Sequence, residues 1–394
     1  MSRIEALTGN ECVAEAVRLC KPDFIAAYPI TPQSSVVEKL ASMVASNSLE
    51  STVLDVESEH SVMSILRGAA LVGKRTFTAT SSQGLALMYE PYFSMSGMRI
   101  PIVMAIACRE MISPVTIWSG LQDALSVRDC GWMQVFCESN QEILDMIIQS
   151  YKIAENKDVY LPANVCYDGF YLSHQMRRVE IPDAADVAAF LPKTTYPQLL
   201  DLDAPKIVDP NTTGHLMMEY REDHVQGMNN ALKLINEVND DFAKQFGRNW
   251  GGTVDTYRLD DADIVMVTIG CMSGTAREVI DDMRKEGIKI GMLRIRFVRP
   301  FPAAEVAALL KGRKAVGVID KSVSFGRMKG IIYEEVMAAL AENNVTVPSI
   351  PFIAGLGGWD IRYEHLKFAA EAINDCAKNG KTVKDVTFLY KQGC

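Results

Sequence analysis

Apolar runs that alternate with helix-length amphipathic segments constrain this chain most. The run IPIVMAIAC at 100–108 carries almost no polar residue. A strand that is apolar on both sides needs cover on both faces, and strands separated by helices lie parallel. In the first half, DFIAAYPI, STVLDVES, RTFTATSS, IPIVMAIAC, WMQVFCES and VYLPANVCYDGF read as strands. The segments PQSSVVEKLASMVAS, EHSVMSILRGAALVG, QGLALMYEPYFSMSG and NQEILDMIIQSYKIAEN between them read as helices. Right-handed crossovers follow from that connectivity. The same beat resumes near residue 261 with DIVMVTIG, IKIGMLRIRFVRPF, KAVGVIDKS and SIPFIAGLGG.

The predicted fold class is therefore α/β, with two parallel-sheet domains. At 394 residues the chain exceeds one ordinary core. The expected units are an α/β domain at 1–176, a proline-rich wrapping arm with an amphipathic helix at 177–255, and a second α/β domain at 256–394. The arm carries Pro182, Pro192, Pro197, Pro205 and Pro210. Its helix places Val225, Met228, Leu232, Ile235, Val238, Phe242 and Phe246 at 3/4 spacing and ends at Gly247.

The formal charge of −9 and the lack of a Lys/Arg block argue against nucleic acid or an anionic membrane as partner. No apolar run reaches membrane-span length, and the N-terminus lacks a signal core, so a cytoplasmic protein is expected. Nine cysteines form no C-x-x-C pair, which suggests neither a disulfide framework nor zinc or iron–sulfur ligation by this chain.

Ligands of open parallel sheets bind at the carboxyl ends of strands. The first strand delivers Tyr28, Thr31 and Pro32 there, and the second delivers Glu57, Glu59 and His60. The third delivers TSSQG with Ser82 and Gln83, and the fourth Cys108, Arg109 and Glu110. Pro29 and Pro32 stiffen the first of these turns, so the Thr31 hydroxyl has a fixed place. Each residue alone has an ordinary structural role: a helix-dipole carboxylate, an ion-paired Arg, a helix cap. Together, on four strands, they make a site, and a strand-end Arg beside a hydroxyl suits a small carboxylate. G-x-S-x-G, Walker A and G-x-G-x-x-G are all absent, so the chemistry is expected from a cofactor that this chain holds only in part.

The segments YPITPQSS, VESEHSVMS, FTATSSQGLALM and RDCGWMQVF resemble the α subunit of the thiamine-diphosphate-dependent 2-oxoacid:acceptor oxidoreductases, the pyruvate:ferredoxin type. RPFP, DKSVSFG and GLGGWD extend the resemblance over nearly the whole chain. It implies a pyrimidine-binding-like domain followed by a transketolase-C-terminal-like domain. It also implies oxidative decarboxylation of a 2-oxoacid to an acyl-CoA. Glu59 then faces N1′ of the cofactor's aminopyrimidine as the catalytic carboxylate, Ser82 and Gln83 contact the cofactor, and Thr31 and Arg109 bind the substrate carboxylate.

The family places Mg²⁺, the diphosphate site and the iron–sulfur clusters on other polypeptides. The implied partners are a β subunit, a γ subunit and a ferredoxin-like δ subunit, with coenzyme A as co-substrate. This chain departs from the pyruvate-type pattern in the loop EMISPVTIWSGLQDALSVRD. Cys108 precedes Arg109, and Ser119-Gly120-Leu121 replaces a polar pair. With Tyr28, Met111, Trp118 and Leu121 as walls, a wider and more apolar pocket is expected. Buried apolar area contributes roughly 25 cal/mol per Å², which favours an aromatic 2-oxoacid such as phenylglyoxylate. The alternatives are pyruvate or a branched-chain 2-oxoacid. Another class of reading is a non-catalytic nucleotide-binding or electron-transfer subunit, or a subunit whose site has decayed.

Overall fold

The computed structural model describes residues 2–194, 200–201 and 203–391; Pro197 and Cys394 lie outside them. Eight strands occupy the first half: β1 (Arg3–Leu7), β2 (Phe24–Ala27), β3 (Thr52–Asp55), β4 (Thr76–Thr80), β5 (Val103–Cys108), β6 (Met133–Phe136), β7 (Ala163–Asp168) and β8 (Arg177–Ile181). Seven follow: β9 (Val254–Tyr257), β10 (Ile264–Ile269), β11 (Ile290–Ile295), β12 (Phe297–Arg299), β13 (Ala315–Asp320), β14 (Ser349–Ala354) and β15 (Thr387–Leu389).

The first sheet runs β12-β6-β7-β5-β4-β2-β3, and every pair but β12–β6 is parallel. The second runs β15-β14-β13-β10-β11-β9, with only β9 antiparallel. Two parallel α/β sheets are thus present, as the apolar runs require. β4, β5 and β7 are buried at every residue, because helices cover both faces.

Two features depart from the sequence expectation. IKIGMLRIRFVRPF reads as one strand but divides after Ile295. β11 stays in the second sheet, whereas β12 crosses to pair with β6 of the first. The second departure is the ribbon of β1 and β8, paired antiparallel from Arg3↔Ile181 to Leu7↔Arg177. β1 is polar and mostly exposed, so no apolar run announces it. The long helix His215–Phe246 ends on Gly247 at φ 74, as its glycine stop suggests. One buried cluster continues from Met63, Tyr92 and Trp132 into Ile269, Val298 and Phe352, so the two sheets share a core. Among the described residues no helix is long and apolar enough to cross a membrane.

The chain leaves β2 for the edge strand β3, then returns over β2 through the helix Glu59–Leu71 to form β4 on its other side. The β2/β4 boundary is thus a switch in strand order, where parallel sheets open a crevice at their carboxyl ends.

Candidate active site

The elbow after β2 is fixed by side chains from three elements. Gln33 Nε2 donates to the Tyr28 carbonyl at 3.0 Å, and Asn10 Nδ2 donates to the Pro32 carbonyl at 2.7 Å. The Tyr167 hydroxyl holds Asn10 in turn, at 2.8 Å. Gly169 abuts the Pro32 ring so closely that a Cβ there would lie 2.8 Å from Cγ. Thr31 remains exposed, and Tyr28 is 37% exposed.

Arg109 lies beside this elbow, only 8% exposed. Its Nη1 donates to the Thr31 carbonyl at 3.0 Å, and its Nε donates to the Thr116 carbonyl at 2.8 Å. The two residues therefore meet as expected, but through the Thr31 backbone. The Thr31 hydroxyl and Arg109 Nη2 have no hydrogen-bond partner among the described residues. Burial lowers the Arg109 pKa, against the opposing pull of Asp123.

Glu59 is the first residue of its helix and is 5% exposed. Ser58 caps this helix by accepting from the Ser61 amide, which puts Glu59 at the helix start facing the switch. A Cβ on Gly84 would fall 2.5 Å from both Glu59 Oε1 and Thr80 Oγ1, so only glycine fits beside this carboxylate. No side chain among the described residues pairs with it. Burial raises its pKa, and only its own amide pulls the other way. Thr80 Oγ1, beside the same Gly84, and Gln83 Oε1, next to Gly84 in sequence, are buried without a hydrogen-bond partner among the described residues.

Ser82 differs from its expected role. Its hydroxyl donates to the Glu110 carbonyl at 2.6 Å and its amide donates to Asp123 Oδ2 at 2.9 Å. With its polar groups engaged inside the chain and φ at 44, Ser82 braces the turn that presents Gln83. Asp123 is a site residue that the strand-end reading missed. It is fully buried, and Oδ2 also accepts from the Arg109 amide at 2.9 Å while Oδ1 accepts from Ala124 at 2.7 Å. Burial pushes its pKa up to about 7 despite these three amides. The available signal was an acid set in the apolar run GLQDAL.

The pocket loop also needs correction. Leu121 is 1% exposed and packs in the core, so it walls no opening. Gly120 does not widen a pocket either, because the Glu110 carboxylate fills the space. A Cβ on Gly120 would lie 2.1 Å from Glu110 Oε1. Ser119 is bound into a buried cluster with Asp168 at 2.8 Å and Lys321 at 3.0 Å, and Lys321 ion-pairs with Asp168. That cluster ties the loop to the carboxyl ends of β7 and β13. The apolar wall near Arg109 is instead Met111, whose sulfur sits 3.9 Å from Ser82 Oγ, and the half-exposed loop residues Ile112, Ile117 and Trp118. Trp118 packs on Phe170 at 4.5 Å between ring centroids. Among the described residues no cluster of three or more His, Cys, Asp or Glu is placed to hold a metal ion.

Known proteins resemble this chain in sequence and in fold. Residues 15–240 match the family described as "Pyruvate flavodoxin/ferredoxin oxidoreductase, thiamine diP-bdg", and residues 262–366 match "Pyruvate:ferredoxin oxidoreductase core domain II". The chain is 46% identical to the α subunit of NADH-dependent phenylglyoxylate dehydrogenase from Aromatoleum evansii, over 91% of this chain and 88% of that one. It is 47% identical to the pyruvate synthase subunit PorA of Methanocaldococcus jannaschii, over 93% and 94% of the two chains. In fold it resembles a 2-oxoglutarate:ferredoxin oxidoreductase from Magnetococcus marinus, with a TM-score of 0.72 at 19% identity. That likeness covers 95% of this chain but 65% of the longer one. A split-gene transketolase is a more distant likeness in fold, at a TM-score of 0.53. On sequence, the chain belongs to the thiamine-diphosphate-dependent 2-oxoacid:ferredoxin oxidoreductases, as an α subunit of that family.

Proposed function

We propose that this chain supplies the pyrimidine side of a shared thiamine diphosphate cleft in a CoA-acylating oxidoreductase of aromatic 2-oxoacids. The observation that carries this reading is the Glu59 carboxyl: buried, without a partner, beside Gly84 at the strand-order switch. Its raised pKa suits it to share a proton with the pyrimidine N1′. Gln83 Oε1, buried and unpaired, is an acceptor fit for the ring's amino group. The residues present thus fit the aminopyrimidine end of the cofactor. When bound, thiamine diphosphate supplies the electron sink for decarboxylation.

Arg109 would use Nη2 to take the substrate carboxylate, with the Thr31 hydroxyl beside it, while Nη1 and Nε hold the guanidinium in place. Such anchoring converts binding into orientation of the keto carbon. Lysine lacks the planar fork, so Arg109→Lys in the assembled complex raises the KM for the 2-oxoacid by about 10-fold or more. A KM unchanged from wild type removes Arg109 from the substrate site.

A β subunit carries the diphosphate and Mg²⁺ in this reading, γ and ferredoxin-like δ subunits complete a hetero-oligomer, and iron–sulfur clusters on these partners take the electrons. Tyr28, Met111 and Trp118 favour an aryl group next to Arg109, now without help from Gly120 or Leu121. Steady-state turnover of phenylglyoxylate against pyruvate by the copurified complex is the test. A higher kcat/KM for phenylglyoxylate is expected, and no turnover by the isolated chain. Preference for pyruvate overturns the aromatic assignment, and an active isolated chain overturns the shared cleft.

A further inference from the structure

The β4 and β5 strand ends both turn sharply, and each has an amide that needs a buried acceptor. One carboxylate serves both. Asp123 Oδ2 accepts from Ser82 N and from Arg109 N, each at 2.9 Å. Ser82 Oγ adds a second tie across the same gap, to the Glu110 carbonyl at 2.6 Å. The Asp123 side chain itself cannot wander, since Oδ1 is bound by its neighbour's amide and the residue is fully buried.

We propose that Asp123 is a positioning residue of this site, a buried carboxylate that, together with the Ser82 hydroxyl, sets the spacing between the Ser82–Gln83 turn and Arg109. The inference rests on the reading that Gln83 and Glu59 face the cofactor while Arg109 faces the substrate. Under that reading the tether fixes substrate anchor against cofactor contact, although Asp123 touches neither. Misplacement by about 1 Å costs about 100-fold in such a geometry. The short helix that follows, Gln122–Ser126, carries the tether, and Gln134 Nε2 pins that helix through the Ala124 carbonyl at 2.7 Å.

The test compares two variants in the assembled complex. Asp123→Asn keeps one carbonyl oxygen for the Ser82 and Arg109 amides and gives up only the acceptor for the Ala124 amide, whereas Asp123→Leu keeps the branched shape and removes every acceptor. Asp123→Leu is expected to raise the KM for the 2-oxoacid by about 10- to 100-fold and to weaken thiamine diphosphate binding, read by titrating the cofactor-free complex. Asp123→Asn is expected to stay within about 3-fold of wild type in both. Equal KM values for the two variants overturn the proposal, whatever their thermal midpoints.

Should Asp123→Leu fail to assemble, hydrogen exchange of the wild-type complex decides. The shared tie predicts that segments 80–84 and 107–111 open together, and independent opening overturns it. A wild-type complex that turns over no 2-oxoacid defeats the functional reading instead, and the exchange measurement still reports on the tether.

Discussion

Glu59→Gln in the assembled complex lowers 2-oxoacid turnover by about 10²- to 10⁴-fold, the span typical for loss of a positioned proton-transfer group. Glutamine keeps the shape that fits against Gly84 and Thr80, so packing at the switch is preserved. What it loses is the ability to share a proton with a ring nitrogen. No cation pairs with Glu59 among the described residues, and it is nearly buried, so its carboxyl contributes little to stability by ion pairing. The thermal midpoint of the complex should therefore stay near the wild-type value while kcat collapses. Retained turnover in Glu59→Gln would falsify the catalytic assignment and favour a decayed or purely structural site.

The largest effect on stability is expected at Glu142. This residue sits in the helix Asn140–Ala154 of the first unit, and its carboxylate meets two arginines from the end of β11 and just beyond it. Arg294 Nη1 and Nη2 donate to it at 2.7 and 3.1 Å, and Arg296 Nε at 2.8 Å. All three side chains are at most 1% exposed. Asp255 and Glu138 lie 3.5 and 3.6 Å from Arg294, too far to replace Glu142 for Arg296.

Glu142→Ala leaves two buried guanidinium groups around an empty space, and removal of one partner from a buried charge cluster costs ~3–5 kcal/mol. A urea titration of the chain should show a markedly lower midpoint, and an unchanged midpoint would refute the role of this cluster in joining the two units. Burial alone would raise the Glu142 pKa, but Arg294 and Arg296 outweigh it and bring the value down to about 2. The folded value then lies below the unfolded one of about 4.3. The stabilisation is therefore complete above that unfolded value and lost as pH falls toward 2. Wild type should lose urea resistance across this acid range, and Glu142→Ala should lose less of it.

The strand-end residues were legible because parallel sheets place ligands at one edge. Tyr28–Thr31, Glu59, Ser82–Gln83 and Arg109 do come from neighbouring strands or from the crossover beside them. Asp123 was not legible, because its role depends on two backbone amides from β4 and β5 turns far away in sequence. Leu121 and Gly120 were misread for a related reason. A glycine in a loop opens space only if nothing else moves in, and here the Glu110 side chain does.

By itself, the order of apolar runs and helices determined the two parallel sheets and the strand ends at which the acid, alcohol and cation of the proposed site stand. These follow from local periodicity and from the need to cover apolar strands, both written along the chain. Tertiary structure alone decided that Arg109 meets Thr31 through a carbonyl, that Ser82 braces the turn, and that β12 leaves its own run to extend the first sheet. Such outcomes depend on which buried donors and acceptors meet across the fold, and side-chain packing between distant segments has no local signature in the sequence.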